Sequence, residues 1–107
     1  MGTTAKKIEP FYSIHPGEIL KDEIAYRGIT QRDLAAKMGV SYTQLNEILN
    51  GKRPVNVEIA LLFEAALGLE PVALVNMQTR YNLQTAREDS NLTKRLETIR
   101  RICASLA

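Results

Sequence analysis

Between Gln31 and Arg53 the chain places Gln31, Tyr42, Thr43, Gln44, Asn46, Glu47, Lys52 and Arg53. Their amides, hydroxyls, carboxylate and cations form hydrogen bonds and attract anions, which is the chemistry of recognition. Covalent catalysis asks for something else: a nucleophile beside a base, a metal cluster, or paired carboxylates in a pocket. The single histidine, His15, and the single cysteine, Cys103, stand at opposite ends of the chain. His15, before Pro16-Gly17, is expected to cap or pack, and Cys103 to serve as a small apolar residue. One cysteine supports neither an intrachain disulfide nor a cysteine-based zinc site. No glycine-rich phosphate cradle occurs, so no enzyme activity, metal or cofactor is expected.

The recognition groups need elements to hold them. Residues 30–53 read TQRDLAAKMGVSYTQLNEILNGKR. Leu34, Val40, Leu45 and Ile48 are spaced to meet in one small core. Ala35 is small where two helices must approach. Gly39 permits the positive φ that stops one helix and reverses the chain. Ser41 is a good N-cap for the next, and Gly51 can end it. This is the pattern of a helix-turn-helix, whose second helix fits the DNA major groove. With Leu45 and Ile48 inward, Tyr42, Thr43, Gln44 and Glu47 are predicted outward, with Asn46 at the edge. Gln44 suits adenine N6 and N7. Thr43 suits a base or phosphate, Tyr42 a phosphate or sugar, and Glu47 cytosine. Gln31, Lys52 and Arg53 are candidates for phosphate.

The flanking sequence adds further helices. His15-Pro16-Gly17-Glu18 opens one, since proline is tolerated in a first turn. Its apolar stripe is Ile19, Leu20, Ile24 and Ala25. Thr30 caps the next, with Asp33 placed as in a capping box. Asn56 caps a helix with an apolar face of Ile59, Ala60, Leu62, Phe63, Ala66 and Leu67, stopped by Gly68. Glu70-Pro71 starts a fifth through Val72, Val75, Met77 and Tyr81. No segment alternates with period two for long enough to form a sheet. The fold class is therefore all-α: five helices carrying a helix-turn-helix, followed by a C-terminal amphipathic helix. In that last helix Leu92, Leu96, Ile99, Cys103 and Leu106 form a coiled-coil-like seam behind a Ser90-Asn91 cap. The expected organisation is a flexible arm at 1–13 with Lys6 and Lys7, a DNA-binding domain at 14–85 and a helical extension at 86–107.

The net charge of +2 over 107 residues is small for a nucleic-acid binder. It divides as +1 over residues 1–40, −2 over 41–70 and +3 over 71–107. Such a chain needs base contacts and a second copy for useful affinity on double-stranded DNA. A two-fold homodimer sets its reading helices ~34 Å apart, on an inverted-repeat operator. The predicted dimer surface is Val72, Val75, Met77 and Tyr81 with Leu92, Leu96 and Ile99. No apolar run reaches the ~20 residues that cross a bilayer, and no secretory signal pattern is present. A lone cysteine fits a reducing cytoplasm.

Three segments carry a family resemblance: IHPGEILKDE at 14–23, the helix-turn-helix with NGKR at 50–53, and EPVALVNMQTRYNL at 70–83. Residues 14–83 resemble the HigA/VapI-type antidote proteins of toxin–antitoxin and plasmid-maintenance modules, within the phage-repressor/Cro-like class. The resemblance implies a dimer that represses its own operon. It also implies neutralisation of a small basic ribonuclease toxin that cuts messenger RNA at the ribosome. Gln31, Tyr42, Thr43, Gln44 and Arg53 match its DNA-facing positions. Ala73-Leu74 departs from a common Phe-Trp pair. Glu18, Asp22 and Glu23 form an acidic patch, of which Glu18 and Asp22 are the candidate toxin contacts. A stand-alone repressor without a toxin is the alternative.

Overall fold

A computed structural model describes residues 13–106. The expected arm, with Lys6 and Lys7, lies outside the described residues except for Ser13, whose N–H donates to Gln84 Oε1. The described residues form six α-helices: α1 Pro16–Tyr26, α2 Gln31–Met38, α3 Tyr42–Leu49, α4 Val57–Leu67, α5 Pro71–Arg87 and α6 Ser90–Cys103. A 3-10 turn, Ala104–Leu106, follows α6. None of the described helices is long and apolar enough to cross a membrane.

Local sequence sets most helix ends. Thr30 Oγ1 accepts from the Asp33 N–H at 3.1 Å, Ser41 Oγ from Gln44 at 3.0 Å, and Asn56 Oδ1 from Ile59 at 2.8 Å. Each satisfies a first-turn donor that has no partner in its helix. The Thr30 cap is not reciprocal: the Asp33 carboxylate pairs with Lys37 one turn on, at 3.1 Å. Gly39 and Gly68 close α2 and α4 in the left-handed region, at φ 74° and 72°. Asp89, not the expected Ser90-Asn91, caps α6, its Oδ1 accepting from the N–H groups of Asn91 and Leu92.

Leu20, Leu45, Ile48, Leu49, Val55 and Phe63 are fully enclosed between α1, α3, α4 and α5. The helical stripes are narrower than their sequence suggests. Ile19, Ala25 and Ala66 are exposed, because each lies on the shoulder of its stripe and no element covers it. The inward face of α5 is Leu74 and Gln78, while Val72 is exposed and Val75, Met77 and Tyr81 are half-buried. Gln78 is a buried polar residue with its amide satisfied. Its Oε1 accepts from the Val55 N–H at 2.8 Å, and its Nε2 donates to Asn82 Oδ1 at 2.9 Å. That bond fastens the strap after α3 onto α5.

α1 meets α3 through glycine. A Cβ on Gly17 would collide with the Ile48 carbonyl oxygen. The first turn of α1 therefore rests directly on the last turn of α3. α6 departs from this body. It buries none of its residues, and the described chain spans 55 × 34 × 22 Å with a radius of gyration of 18.0 Å. A compact chain of this length has ~13 Å.

Gly17→Ala is expected to lower unfolding free energy by about 1–3 kcal/mol through overpacking. Gly39→Ala should cost about 1–2 kcal/mol through φ alone, because a Cβ there meets open space. Urea denaturation measures both costs, and truncating Ile48 to Ala, which keeps the carbonyl, should leave the cost of Gly17→Ala unrelieved.

Candidate nucleic-acid interface

The turn between α2 and α3 sets the first half of the site. Val40 N–H donates to the Ala35 carbonyl at 3.1 Å, closing α2 so that the starts of α2 and α3 lie together. Two contacts join them. Gln31 Oε1 accepts from Asn46 Nδ2 at 3.0 Å, and the Arg32 guanidinium lies over the Tyr42 ring, 4.8 Å from its centroid. A cation over an aromatic face is held by the ring quadrupole.

The candidate residues consequently differ in availability. Tyr42 and Thr43 are exposed, while Gln44 and Glu47 are half-buried. Asn46 is half-buried with one amide hydrogen committed to Gln31, so it is a clamp between helices as well as an edge residue. Gln31 keeps its Nε2 donor while its Oε1 is engaged. Arg32 was not among the residues singled out from sequence. Its signal is present there, because it follows Gln31 in the turn that the motif sets beside Tyr42.

The second half of the site is the strap after α3. Gly51 continues it at φ 76°, and the Lys52 N–H donates to the Glu47 carbonyl at 2.8 Å. Arg53 turns back onto Glu47, with Nη2–Oε1 2.7 Å and Nε–Oε1 3.0 Å. Glu47 is thus first a partner of Arg53, and the repulsion it would exert on an anion is partly offset. Lys21 Nζ reaches across from α1 to Asn50 Oδ1 at 3.0 Å, adding a cation that sequence reasoning missed. The exposed Arg53–Glu47 ion pair is modest in energy, at ~1 kcal/mol or less; its effect is on placement.

His15 supports this strap from behind. It caps α1, its Nδ1 accepting from the Gly17 N–H at 2.9 Å. Its ring lies against Gly51 and edge-on to Tyr81, with centroids 5.0 Å apart and planes at 80°. Tyr81, expected at a dimer surface, is therefore engaged inside the monomer. Desolvation lowers the His15 pKa below 6.5, against the raising effects of the Glu18 charge and the Arg53 backbone. Glu18 and Asp22 are exposed on α1, whereas Glu23 of the same acidic patch pairs with Arg27 at 2.7 Å.

A helix-turn-helix family profile matches residues 24–74. The virulence-associated protein I of Dichelobacter nodosus is 36% identical over 78 residues, 72% of each chain. The chain belongs to the HigA/VapI-type antitoxin family. Two solved members of that family share the fold. Antitoxin HigA of Pseudomonas aeruginosa, determined with the higBA promoter, is 30% identical with a TM-score of 0.71, covering 81% of this chain and 94% of HigA. An addiction module antidote protein of the HigA family from Coxiella burnetii is 29% identical with a TM-score of 0.71, covering 82% and 95%. In this HigA/VapI-type protein Tyr42 and Thr43 are exposed on α3, with Arg32 beside the start of that helix and Lys52 and Arg53 after its end.

The buried cap makes stability depend on pH. Neutral His15 accepts the Gly17 N–H through Nδ1, and a protonated ring cannot. With the folded pKa below 6.5, the unfolded chain binds the proton more readily. The contribution is fully present above pH 6.5 and is lost as pH falls through the folded value. His15→Asn retains a capping oxygen and is expected to flatten the loss of unfolding free energy as pH falls below 6.5. An unchanged pH profile would place the titration elsewhere.

Proposed function

We propose that this protein is a sequence-specific DNA-binding antitoxin that represses its own operon and neutralises a small ribonuclease toxin by direct binding. The observation that carries this reading is the outer face of α3. Tyr42, Thr43 and Gln44 project from its first turns, between Arg32 on one side and Lys52 and Arg53 on the other, in the fold of a HigA determined with promoter DNA. Gln44 and Thr43 read base edges in the major groove. Gln31, Tyr42, Lys52 and Arg53, joined by Arg32, hold phosphates and fix register. Asn46 orients Gln31, and Glu47 orients Arg53; either can also meet a base at the edge of the face.

One such module covers a half-site, so the reading includes a homodimer on an inverted repeat. Val72 and the α6 seam supply the exposed apolar surface, while Val75, Met77 and Tyr81 are shared with the monomer's own packing. The toxin is the basic partner, and Glu18 and Asp22 are the acidic residues of α1 that remain unpaired among the described ion pairs.

The test is co-expression with the product of the adjacent short reading frame, followed by mobility shift on the shared promoter. Co-purification of a small basic protein together with a shift is the expected result. A shift with no protein partner would leave a stand-alone repressor. Two variants divide the roles. Gln44→Ala should lose about 1–3 kcal/mol of preference for the operator over unrelated DNA with little change in non-specific affinity; fluorescence anisotropy on both duplexes measures this. Glu18→Lys with Asp22→Lys should weaken toxin capture and spare operator binding. Capture unchanged by both reversals would move the toxin contact off α1.

A further inference from the structure

Two apolar surfaces have no partner among the described residues. One is a groove of about 290 Å³ between α4 and the start of α5, lined by Val57, Ala60, Leu61, Pro71, Val72 and Val75. Val57 and Val72 are 62% exposed and Leu61 is 49% exposed. The other is the seam of α6 and the turn after it, where Ile99, Ile102 and Leu106 are 46%, 71% and 80% exposed.

Their charges are opposite. α4 carries Glu58 and Glu64 and no cation, and Glu70 stands immediately before Pro71. Glu64 follows Ala60 and Leu61 on the groove side by four and three residues, and Glu58 precedes Leu61 by three. All three glutamates are exposed and absent from the ion pairs among the described residues. α6 carries Lys94, Arg95, Arg100 and Arg101 against the single Glu97.

Pairing α6 with α6 of another copy along the seam is unfavourable. With Leu96 and Cys103 at a positions and Leu92 and Ile99 at d, Arg95 falls at g and Arg100 at e. A parallel pair sets Arg95 against Arg100 of the second helix, and antiparallel pairs bring arginines to matching flanks. Two heptads are also too short to hold a coiled coil alone.

We propose that α6 is exchanged between two copies of this chain, its Ile99–Ile102–Leu106 face seated in the Val57–Leu61–Val72 groove of the other copy. Glu58, Glu64 and Glu70 then meet the cations that flank the seam. Two-fold symmetry makes the contact reciprocal, each copy giving one helix and receiving one. The projection of α6 from the body, which lengthens the monomer to 55 Å, is what an exchanged arm requires. The proposal rests on the homodimer reading and names its surface.

Cys103 is the only cysteine, so oxidation reports its neighbour. Leu61→Cys and Val72→Cys are oxidised mildly beside the unsubstituted protein, at concentrations where light scattering gives a dimer. At least one variant should form a covalent dimer about tenfold faster than the unsubstituted chain, since a disulfide forms only when the two Cα atoms lie within ~7 Å. Peptide mapping should join Cys103 to the introduced thiol of the other copy. Equal rates through a Cys103–Cys103 bond, or a dimer that cross-links in neither variant, would overturn the exchange and leave the homodimer standing. An intrachain bond would mean that α6 folds back on its own groove, which also overturns it. A monomer with native helical content would remove the homodimer reading itself. Independently of thiol chemistry, Glu58→Lys with Glu64→Lys should weaken dimerisation about tenfold, and Arg100→Glu with Arg101→Glu should restore it. Failure of that rescue contradicts the assigned complementarity.

Discussion

The contact between the first turn of α1 and the last turn of α3 governs the rest of the molecule. Position 17 has no room for a side chain because the Ile48 carbonyl occupies that space. The same turn of α3 leads into Gly51, Lys52 and Arg53, so whatever seats α1 also aims the strap. His15 completes the joint by capping α1 through Gly17 and lying against Gly51 and Tyr81. Gln78 adds a second fastening at Val55. A polar surface loop that would otherwise sample many conformations is thus fastened at Gly51 and at Val55, and less ordering remains to be lost when it meets an anion. The His-Pro-Gly-Glu sequence has a physical meaning here: cap, helix start, close approach, and a carboxylate near the imidazole.

The 14 basic and 12 acidic residues of this chain nearly cancel. With a net charge of +2, long-range attraction to DNA is weak, so affinity has to come from placement. Arg32 is held over Tyr42, Arg53 is held by Glu47, and Lys21 is held by Asn50. Each cation is directed by a neighbour instead of waving in solvent. Under the proposed function, the Glu47 carboxylate lowers non-specific attraction while orienting Arg53, which favours discrimination over raw affinity.

Local signals in the sequence located the helices well. Gly39 and Gly68, Thr30, Ser41 and Asn56 act within a few residues of themselves, so their effects survive folding unchanged. The fold class and the helix-turn-helix followed from them, and of the face expected outward on α3, Tyr42 and Thr43 are exposed while Gln44 and Glu47 are half-buried. Long-range partners were not legible. Gln78 reads as an ordinary polar residue on α5, and only the approach of Val55 gives it a buried role. Tyr81 reads as part of an apolar stripe, but it meets His15 from across the chain. Ile19, Ala25 and Ala66 obey helical spacing and remain exposed, because periodicity marks a face without saying how much of it a neighbour covers. Asp89 caps α6 in place of Ser90, a one-residue difference set by its extended backbone at ψ 115°. Arg32 and Lys21 gain significance only from the helices packed beside them.

The most direct test of the account is the affinity of the protein for its own promoter, measured across a range of salt concentrations beside a scrambled duplex. If directed cations and base contacts produce binding, log K should fall linearly with log salt, with a slope of about −0.9 per phosphate neutralised. The promoter should be preferred by about 10³ or more at physiological salt. A flat salt dependence, or equal affinity for both duplexes, would contradict the reading of α3 and its strap as a sequence-specific DNA interface.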